Sequence, residues 1–434
     1  MKTKTHKKDK VDIITLGCSK NRVDSEVLLT QLQANEINAS HEDYKGNIVV
    51  INTCGFIDKA KAESIETILE YADKKQRGKI DKLYVTGCLS ERYKQNLEEE
   101  IPEVDAFFGT MELIPLLEKL GANYKHELIG ERTLTTPSHY AYMKISEGCN
   151  RTCSFCAIPL MRGKHVSVPI EQLVTMAKNM VKNGVKEIML IAQELTYYGL
   201  DIYKKRSLDE LLRKLSDLEG LDWIRLHYAY PSNFPLEILD VIQERSNICN
   251  YLDMPLQHAA DNVLKHMHRQ ITQQDMRVLI DKIRTKIPEI AIRTTMLVGY
   301  PNETEKDFEH LCDFVEEQRF DRLGVFTYSH EEDTGAFDVN DGVDEDIKQE
   351  RAAQLMEIQQ GISYTLNQKK IGTTCKVLID RKENETWIGR TEHDSPEVDN
   401  EVMLDATQQY VRIGDFVNVI ITDATEFDLT GSIK

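Results

Sequence analysis

No stretch of this 434-residue chain is apolar for long enough to be a secretory leader or a membrane span. The basic start, Met1 to Lys10, is followed only by the short run Val11 to Leu16. Basic side chains are also scarce, with 54 Lys and Arg against 72 Asp and Glu, a net charge of −18. That balance disfavours a polyanionic partner and direct nucleic acid binding, and suits a soluble, cytoplasmic protein that meets a basic protein. The nine cysteines are read as ligands or buried thiols, because disulfides do not persist in a reducing cytosol. A zinc knuckle lacks its fourth donor: no further Cys or His follows the cluster Cys149-x3-Cys153-x2-Cys156 at zinc spacing.

That cluster supplies three thiolates where an ordinary iron-sulfur centre takes four, so one iron would have no protein ligand. An open iron can bind a small molecule directly. Three more cysteines end apolar runs in a repeated way, in Val-Asp-Ile-Ile-Thr-Leu-Gly-Cys18, Asn-Ile-Val-Val-Ile-Asn-Thr-Cys54 and Lys-Leu-Tyr-Val-Thr-Gly-Cys88. Their spacings of 36 and 34 residues fit one β-α-β unit each, which makes the three strands parallel and sets each thiol at a carboxyl end. Carboxyl ends line the ligand crevice of an open α/β sheet. Any one of these thiols alone would be read as core packing, but three placed alike point to a second three-cysteine centre. Cys249, Cys312 and Cys375 lack ligand spacing and are assigned to packing, and His258, His266 and His268 to surface or hydrogen-bonded positions.

The fold class is α/β with a small all-β end. After a basic tail (1–10), an open parallel sheet domain (11–125) and a linker (126–139), six strand-helix units fill residues 140–345. Their strands are Tyr140–Ser146, Glu187–Ala192, Trp223–Tyr228, Tyr251–Met254, Ile290–Val298 and Arg322–Tyr328. Six repeats predict a partial barrel, with the Cys149–Cys156 loop on its carboxyl face. Residues 331–346 carry eight acidic side chains and no basic one, the pattern of a solvated linker or, less often, a docking surface. A helical linker (346–371) leads to a small β-barrel, TRAM-like or OB-like, at 372–434. Residues 373–434 hold six basic and thirteen acidic side chains, the wrong sign for nucleic acid.

The Leu-Gly-Cys-Ser-Lys-Asn motif at 16–21, the cysteine triplet followed by Ala-Ile-Pro-Leu-Met-Arg-Gly, and the terminal β-barrel together resemble the radical S-adenosylmethionine (SAM) methylthiotransferases, over essentially the whole chain. Leu-Gly-Cys-Ser-Lys-Asn-Arg-Val-Asp-Ser-Glu looks like the RimO-type branch, which modifies an aspartate of small-subunit ribosomal protein S-twelve; sister branches act on adenosine in transfer RNA. The resemblance implies two 4Fe-4S clusters. Cys149, Cys153 and Cys156 would hold the radical-generating one; Cys18, Cys54 and Cys88 would hold an auxiliary one that carries the sulfur to be transferred. It also implies that Gln193 and Glu194 bind the amino group of the cofactor, and that backbone around Phe155 to Ala157 meets its adenine. Asp253–His258, with Gln257, and Arg293–Gly299 would line the cofactor site.

A carboxylate β-carbon has no usable acidity near neutral pH, so a radical is required to replace its hydrogen. One SAM would methylate the sulfur; a second would be cleaved to the abstracting radical, after reduction by a carrier such as flavodoxin or ferredoxin. Asn302 stands where the family has glycine in Gly-Tyr-Pro-Asn-Glu-Thr, and asparagine tolerates the left-handed backbone expected there. Substrate is expected between the barrel mouth and the first domain, held by acidic residues of the terminal barrel such as Glu392, Asp394 and Glu397. A transfer RNA enzyme and a non-catalytic iron-sulfur scaffold are the competing readings.

Overall fold

A computed structural model describes residues 9–128, 130–407 and 409–434. The basic tail at 1–10 lies outside them but for Asp9 and Lys10. Strands β1 (Val11–Thr15), β2 (Ala39–His41), β3 (Ile48–Thr53), β4 (Lys82–Gly87) and β5 (Ala106–Phe107) form one sheet in the order β2-β1-β3-β4-β5. Every pairing in it is parallel. The three strands that precede Cys18, Cys54 and Cys88 are the adjacent central ones, β1, β3 and β4. Their apolar, β-branched runs suit burial under helices on both faces. The edge strands β2 and β5 are too short to show a period, and the sequence reading missed them.

The central sheet contains β6 (Tyr140–Lys144), β9 (Glu187–Ile191), β10 (Trp223–Leu226), β11 (Ile248–Asp253), β12 (Ala291–Val298) and β13 (Arg322–Thr327). All six are parallel, in the order β13-β12-β11-β10-β9-β6, and the sheet stays open between β13 and β6. A two-residue pair, β7 (Ser146–Glu147) with β8 (Val166–Ser167), brackets the cysteine loop. Two of the outer helices, Gln273–Lys286 and Glu305–Gln318, start at capping boxes, Thr272 with Asp275 and Thr304 with Asp307. The amino-terminal unit packs against β6 and β9: Val23, on helix Ser19–Ala34, joins Tyr140, Tyr142, Met189 and Ile191 in one apolar cluster. Asn302 has φ 67°, so the left-handed turn survives without glycine.

Helix Glu345–Gln368 then leads to a closed barrel of β14 (Thr374–Glu383), β15 (Thr386–Thr391), β16 (Val402–Asp405), β18 (Leu429–Ile433) and β17 (Phe416–Ala424), in that spatial order. This barrel docks against the amino ends of the central strands. Trp223, at the start of β10, meets Phe416 edge-on at 4.8 Å between ring centroids. Arg390 donates to Glu187 at 2.8 Å, and Arg322 pairs with Asp394. The β15–β16 loop continues into the lumen, where Asp399 accepts from the Tyr251 hydroxyl at 2.7 Å and from Arg293 Nε at 3.2 Å. Ser395 Oγ lies 3.0 Å from His227 Nε2.

Three expectations are corrected here. Asp394 and the part-buried Glu392 are not a free docking surface, whereas Glu397 stays exposed. Asp394 is buried against Arg322, Glu392 accepts from the Asn250 amide, and Glu397 from the Tyr142 hydroxyl. The acidic run at 331–346 is not simply a solvated linker, because Glu331 is 1% exposed and pairs with Lys61 and Arg92 of the first unit. A few residues on, the Ala336 amide donates to Ser154 O inside the cysteine loop, at 2.7 Å. The 126–139 segment is a seam rather than a spacer: Arg132 pairs with Glu26 at 2.8 Å, and the Thr135 amide donates to the same carboxylate.

Removing the Asp394 carboxylate would leave Arg322 charged and buried, so Asp394→Ala is expected to cost about 3–5 kcal/mol. Burial alone would raise the Asp394 carboxyl, but Arg322 and Lys370 outweigh it and hold it below its ordinary 3.8. A depressed carboxyl stabilises the fold above its unfolded value and stops doing so as pH falls through the folded one. Urea midpoints of the native chain and Asp394→Ala should therefore differ at pH 5 and above, and converge only well below 3.8.

Candidate active site

The three amino-terminal thiols meet because adjacent parallel strands end side by side. Cys18 caps helix Ser19–Ala34, Cys88 opens helix Cys88–Glu100, and Cys54 lies just before helix Asp58–Gln76. Helix amino termini carry positive partial charge, which favours thiolates and an anionic centre. Ser64 of the third helix clamps Cys54, accepting from its amide at 3.1 Å and donating to its carbonyl at 2.9 Å. Glycine before two of the cysteines allows the approach. Gly17 has φ 84°, and a Cβ there would stand 2.6 Å from Cys54 Cβ. Gly87 has φ 102°, and its Cβ would fall 2.5 Å from the Thr53 carbonyl oxygen.

Asn21 ties the three loop ends together. Its Nδ2 donates to the carbonyls of Leu16 at 2.8 Å and Thr53 at 3.0 Å, while its Oδ1 faces Cys88 Sγ at 3.8 Å. Burial pushes the Cys54 thiol up and the Cys88 thiol to about 12; Cys18 adds to the rise at Cys54, and Cys18 and Cys54 add to it at Cys88. The three sulfurs thus share one neighbourhood, and binding metal would displace their protons.

The second trio sits in the loop between β7 and helix Ile158–Arg162. The Cys149 amide donates to Gly163 O at 3.1 Å, and the Cys156 amide to Cys153 O at 3.1 Å, which folds the loop on itself. Burial, reinforced by Cys153, raises the thiols of Cys149 to about 11 and Cys156 to about 12. Cations surround the sulfurs. Arg269 Nη1 is 3.4 Å from Cys153 Sγ, and the guanidinium groups of Arg151 and Arg269 lie over the Tyr230 ring at 3.8 and 4.2 Å.

The two trios share a seam. Cys88 packs in one apolar cluster with Ala157 and Met161, the residues that follow Cys156. All nine cysteines are free thiols. Among the described residues no group of three or more His, Cys, Asp or Glu is gathered tightly enough to hold a single metal ion. A four-iron cluster makes a wider demand, because each cysteine binds a different iron. Mutual coupling of the thiols, helix termini and adjacent guanidinium groups all suit such an anionic group.

The residues expected at the cofactor divide. Gln193 lies just beyond the carboxyl end of β9; its Nε2 donates to Glu147 at 2.6 Å, and its buried Oε1 has no partner. Phe155 packs on Ala260, Leu297 and Tyr300, and Ala157 on Cys88. Gln257 takes φ 77° and bridges Met296 of β12. Two others are already engaged. Glu194 accepts from Arg151 at 3.0 Å and from the Thr196 amide at 2.7 Å, and Arg293 joins Asp253 to Asp399 of the terminal barrel. Sequence reasoning missed Asn21, Glu147, Arg151, Arg162, Tyr230 and Arg269. Asn21 and Arg162 stand inside the two motifs that it quoted, yet nothing in the spacing tells that they touch.

Family models match three parts of the chain: uncharacterized protein family UPF0004 at residues 10–109, the radical SAM superfamily at 143–315, and the TRAM domain at 371–433. Among curated proteins, the ribosomal protein uS12 methylthiotransferase RimO of Cytophaga hutchinsonii is 65% identical over the full length of both chains. The protein of the same name from Bacteroides thetaiotaomicron is 52% identical over 98% of this chain and 99% of that one. Among solved structures, the radical S-adenosylmethionine methyltransferase TsrM of Kitasatospora setae has a TM-score of 0.55 at 15% identity, covering 73% of this chain and 72% of that one. The cobalamin-dependent S-adenosylmethionine radical enzyme OxsB scores 0.51 at 11%, covering 82% and 56%. Both solved structures are likenesses of fold.

Gly17→Ala is expected to cost about 1–3 kcal/mol in backbone strain and to separate the Cys18 and Cys54 sulfurs. Anaerobic reconstitution should then show iron lost from the amino-terminal trio and kept at Cys149, Cys153 and Cys156, read from iron content and cluster spectra.

Proposed function

The chain belongs to the family of ribosomal protein uS12 methylthiotransferases and is an enzyme of that kind, and from this premise we propose how its residues divide the work. Its substrate is the basic small-subunit ribosomal protein uS12, and the position modified is the β-carbon of one aspartate. Cys149, Cys153 and Cys156 hold one 4Fe-4S cluster and Cys18, Cys54 and Cys88 a second. When bound, the clusters and S-adenosylmethionine supply the radical and the sulfur, chemistry that no side chain can provide. The observation that carries this reading is the shared seam: Cys88 packs directly on Ala157 and Met161 beside Cys156.

The remaining residues position and shield. Gln193, with an unpaired buried carbonyl oxygen, offers an acceptor to the cofactor's amino group, and backbone from Phe155 to Ala157 meets its adenine. Glu194 acts through Arg151, which it holds over the Tyr197 ring at 4.0 Å and beside the cysteine loop. Gln257 and Arg293 line the lumen below, Arg293 fixed by Asp253 and Asp399. Holding the reacting groups in line is what such a scaffold contributes. The functional units are residues 11–125 for the sulfur-carrying centre, 140–345 for radical generation and 372–434 for closing the lumen. Substrate enters at the carboxyl ends of the strands, and a cytoplasmic one-electron carrier of the flavodoxin or ferredoxin type supplies the reductant. A nucleic acid substrate is the second reading, disfavoured by thirteen acidic against six basic side chains in residues 373–434.

A deletion strain separates the two. Its ribosomal protein uS12 should lack the mass of a methylthio group, with transfer RNA nucleosides unchanged; the reverse outcome would overturn the substrate. Replacing Cys18, Cys54 and Cys88 by alanine should remove about half the iron while reductive release of 5'-deoxyadenosine persists.

A further inference from the structure

We propose that Arg162 is a positioning residue that joins the two metal centres and raises the reduction potential of the amino-terminal one. This rests on the two-cluster reading above. Arg162 is the last residue of helix Ile158–Arg162, directly after the Cys149–Cys156 loop, yet its side chain leaves its own unit. Nη2 donates to Asn21 Oδ1 at 2.5 Å and Nη1 to Asp24 Oδ2 at 2.6 Å, both on the helix that follows Cys18. Nη1 also lies 3.4 Å from Glu147 Oε2, whose other oxygen accepts from Gln193. The Asn21 oxygen it binds is the one that faces Cys88 Sγ. One guanidinium therefore touches the anchor of all three amino-terminal loops, the neighbour of Gln193, and the surroundings of Cys88.

Arg162 is 5% exposed, so water screens its charge little and its field at the sulfurs is strong. Its own charge is balanced by Asp24 and Glu147, which also hold Lys144. Those four groups sum to zero, so the field at the amino-terminal trio is set by where each charge lies, and the guanidinium bonds the very oxygen that faces Cys88 Sγ. A cation beside a cluster favours its more negative, reduced form, and hydrogen bonding and net charge are the protein's levers on such potentials. The planar fork matters as well as the charge, because two of its hydrogen bonds fix the spacing of the units.

The test isolates the amino-terminal centre in chains carrying Cys149→Ala, Cys153→Ala and Cys156→Ala, reconstituted anaerobically and titrated with electron paramagnetic resonance as readout. Arg162→Gln should lower the reduced-to-oxidised ratio at a fixed applied potential at least tenfold, which is 59 mV for a one-electron couple. Arg162→Lys should recover part of the shift. Asp24→Asn keeps the guanidinium and removes a counter-charge, so it should move the potential in the opposite direction. Opposite signs are something a merely structural role does not produce. Wild-type potentials in both Arg162→Gln and Asp24→Asn would overturn the proposal. If Arg162→Gln fails to hold iron, Asp24→Asn decides alone, and an unshifted potential or lost iron there overturns it. A parent chain that takes up no iron at Cys18, Cys54 and Cys88 would instead sink the two-cluster reading.

Discussion

Three cysteines far apart in sequence lie in one neighbourhood without a disulfide between them, and the sheet that brings them there shapes the amino-terminal unit. Parallel strands achieve this in a way that loops cannot. The register of β1, β3 and β4 sets three strand ends side by side, and the ends of β1 and β4 turn at once into helices at Ser19 and Cys88, while β3 reaches its helix at Asp58 after a short loop. The turns are tight enough that Gly17 and Gly87 have no room for a Cβ. The left-handed backbone at both positions would strain any other residue. Sulfur placement is thus a property of the sheet, and Asn21 locks it by bonding two of the three loop ends.

The second demand is that two units, each with its own core, hold a fixed separation. An apolar seam would bring them together but would permit sliding, since apolar contact is non-directional. This seam is instead dense in paired charge: Arg92 with Glu331, Arg132 with Glu26, Arg162 with Asp24, Lys144 with Asp24 and Glu147. Buried pairs of this kind add little net stability, because desolvation offsets most of the Coulomb gain, but each breaks at a large cost if one member shifts. Register is what they confer. The strap from Ser329 to Ala336 extends the same logic, since it touches Asp58, Lys61 and Arg92 on one side and Ser154 of the cysteine loop on the other.

Legibility in the sequence followed periodicity. The six central strands announced themselves by apolar runs, and the repeated strand-end cysteines told of a parallel sheet. Beyond the described secondary structure, what the chain could not tell was which polar side chains meet across units. Arg162 and Asn21 are 141 residues apart, and no local pattern links them. Glu194 and Arg293 were expected to face the cofactor, and they are largely taken up by Arg151 and by Asp253 with Asp399. The acidic run at 331–346 misled for the same reason. Composition gives a solvated average, whereas Glu331 is buried by two specific cations.

Composition also hid which acids of the terminal barrel face inward, and those acids explain how the barrel is held. Its acids are numerous, but Asp380, Asp394 and Asp399 point inward at Arg390, Arg322 and Arg293. Arg225, Arg293 and Arg322 project from the central strands into a lumen that six strands cannot close, and unpaired they would be buried cations of high cost. The loop after β15 brings carboxylates and carbonyls to them: Asp394 to Arg322, Asp399 to Arg293, and the Glu392 carbonyl to Arg225 at 2.6 Å. Barrel and partial barrel are therefore electrostatic complements of one another where they meet, through Glu392, Asp394 and Asp399, while acids such as Glu383, Glu385, Asp405 and Asp423 stay exposed. The lumen's amino end is filled in this way, and both cysteine trios lie at the opposite, carboxyl ends of their strands.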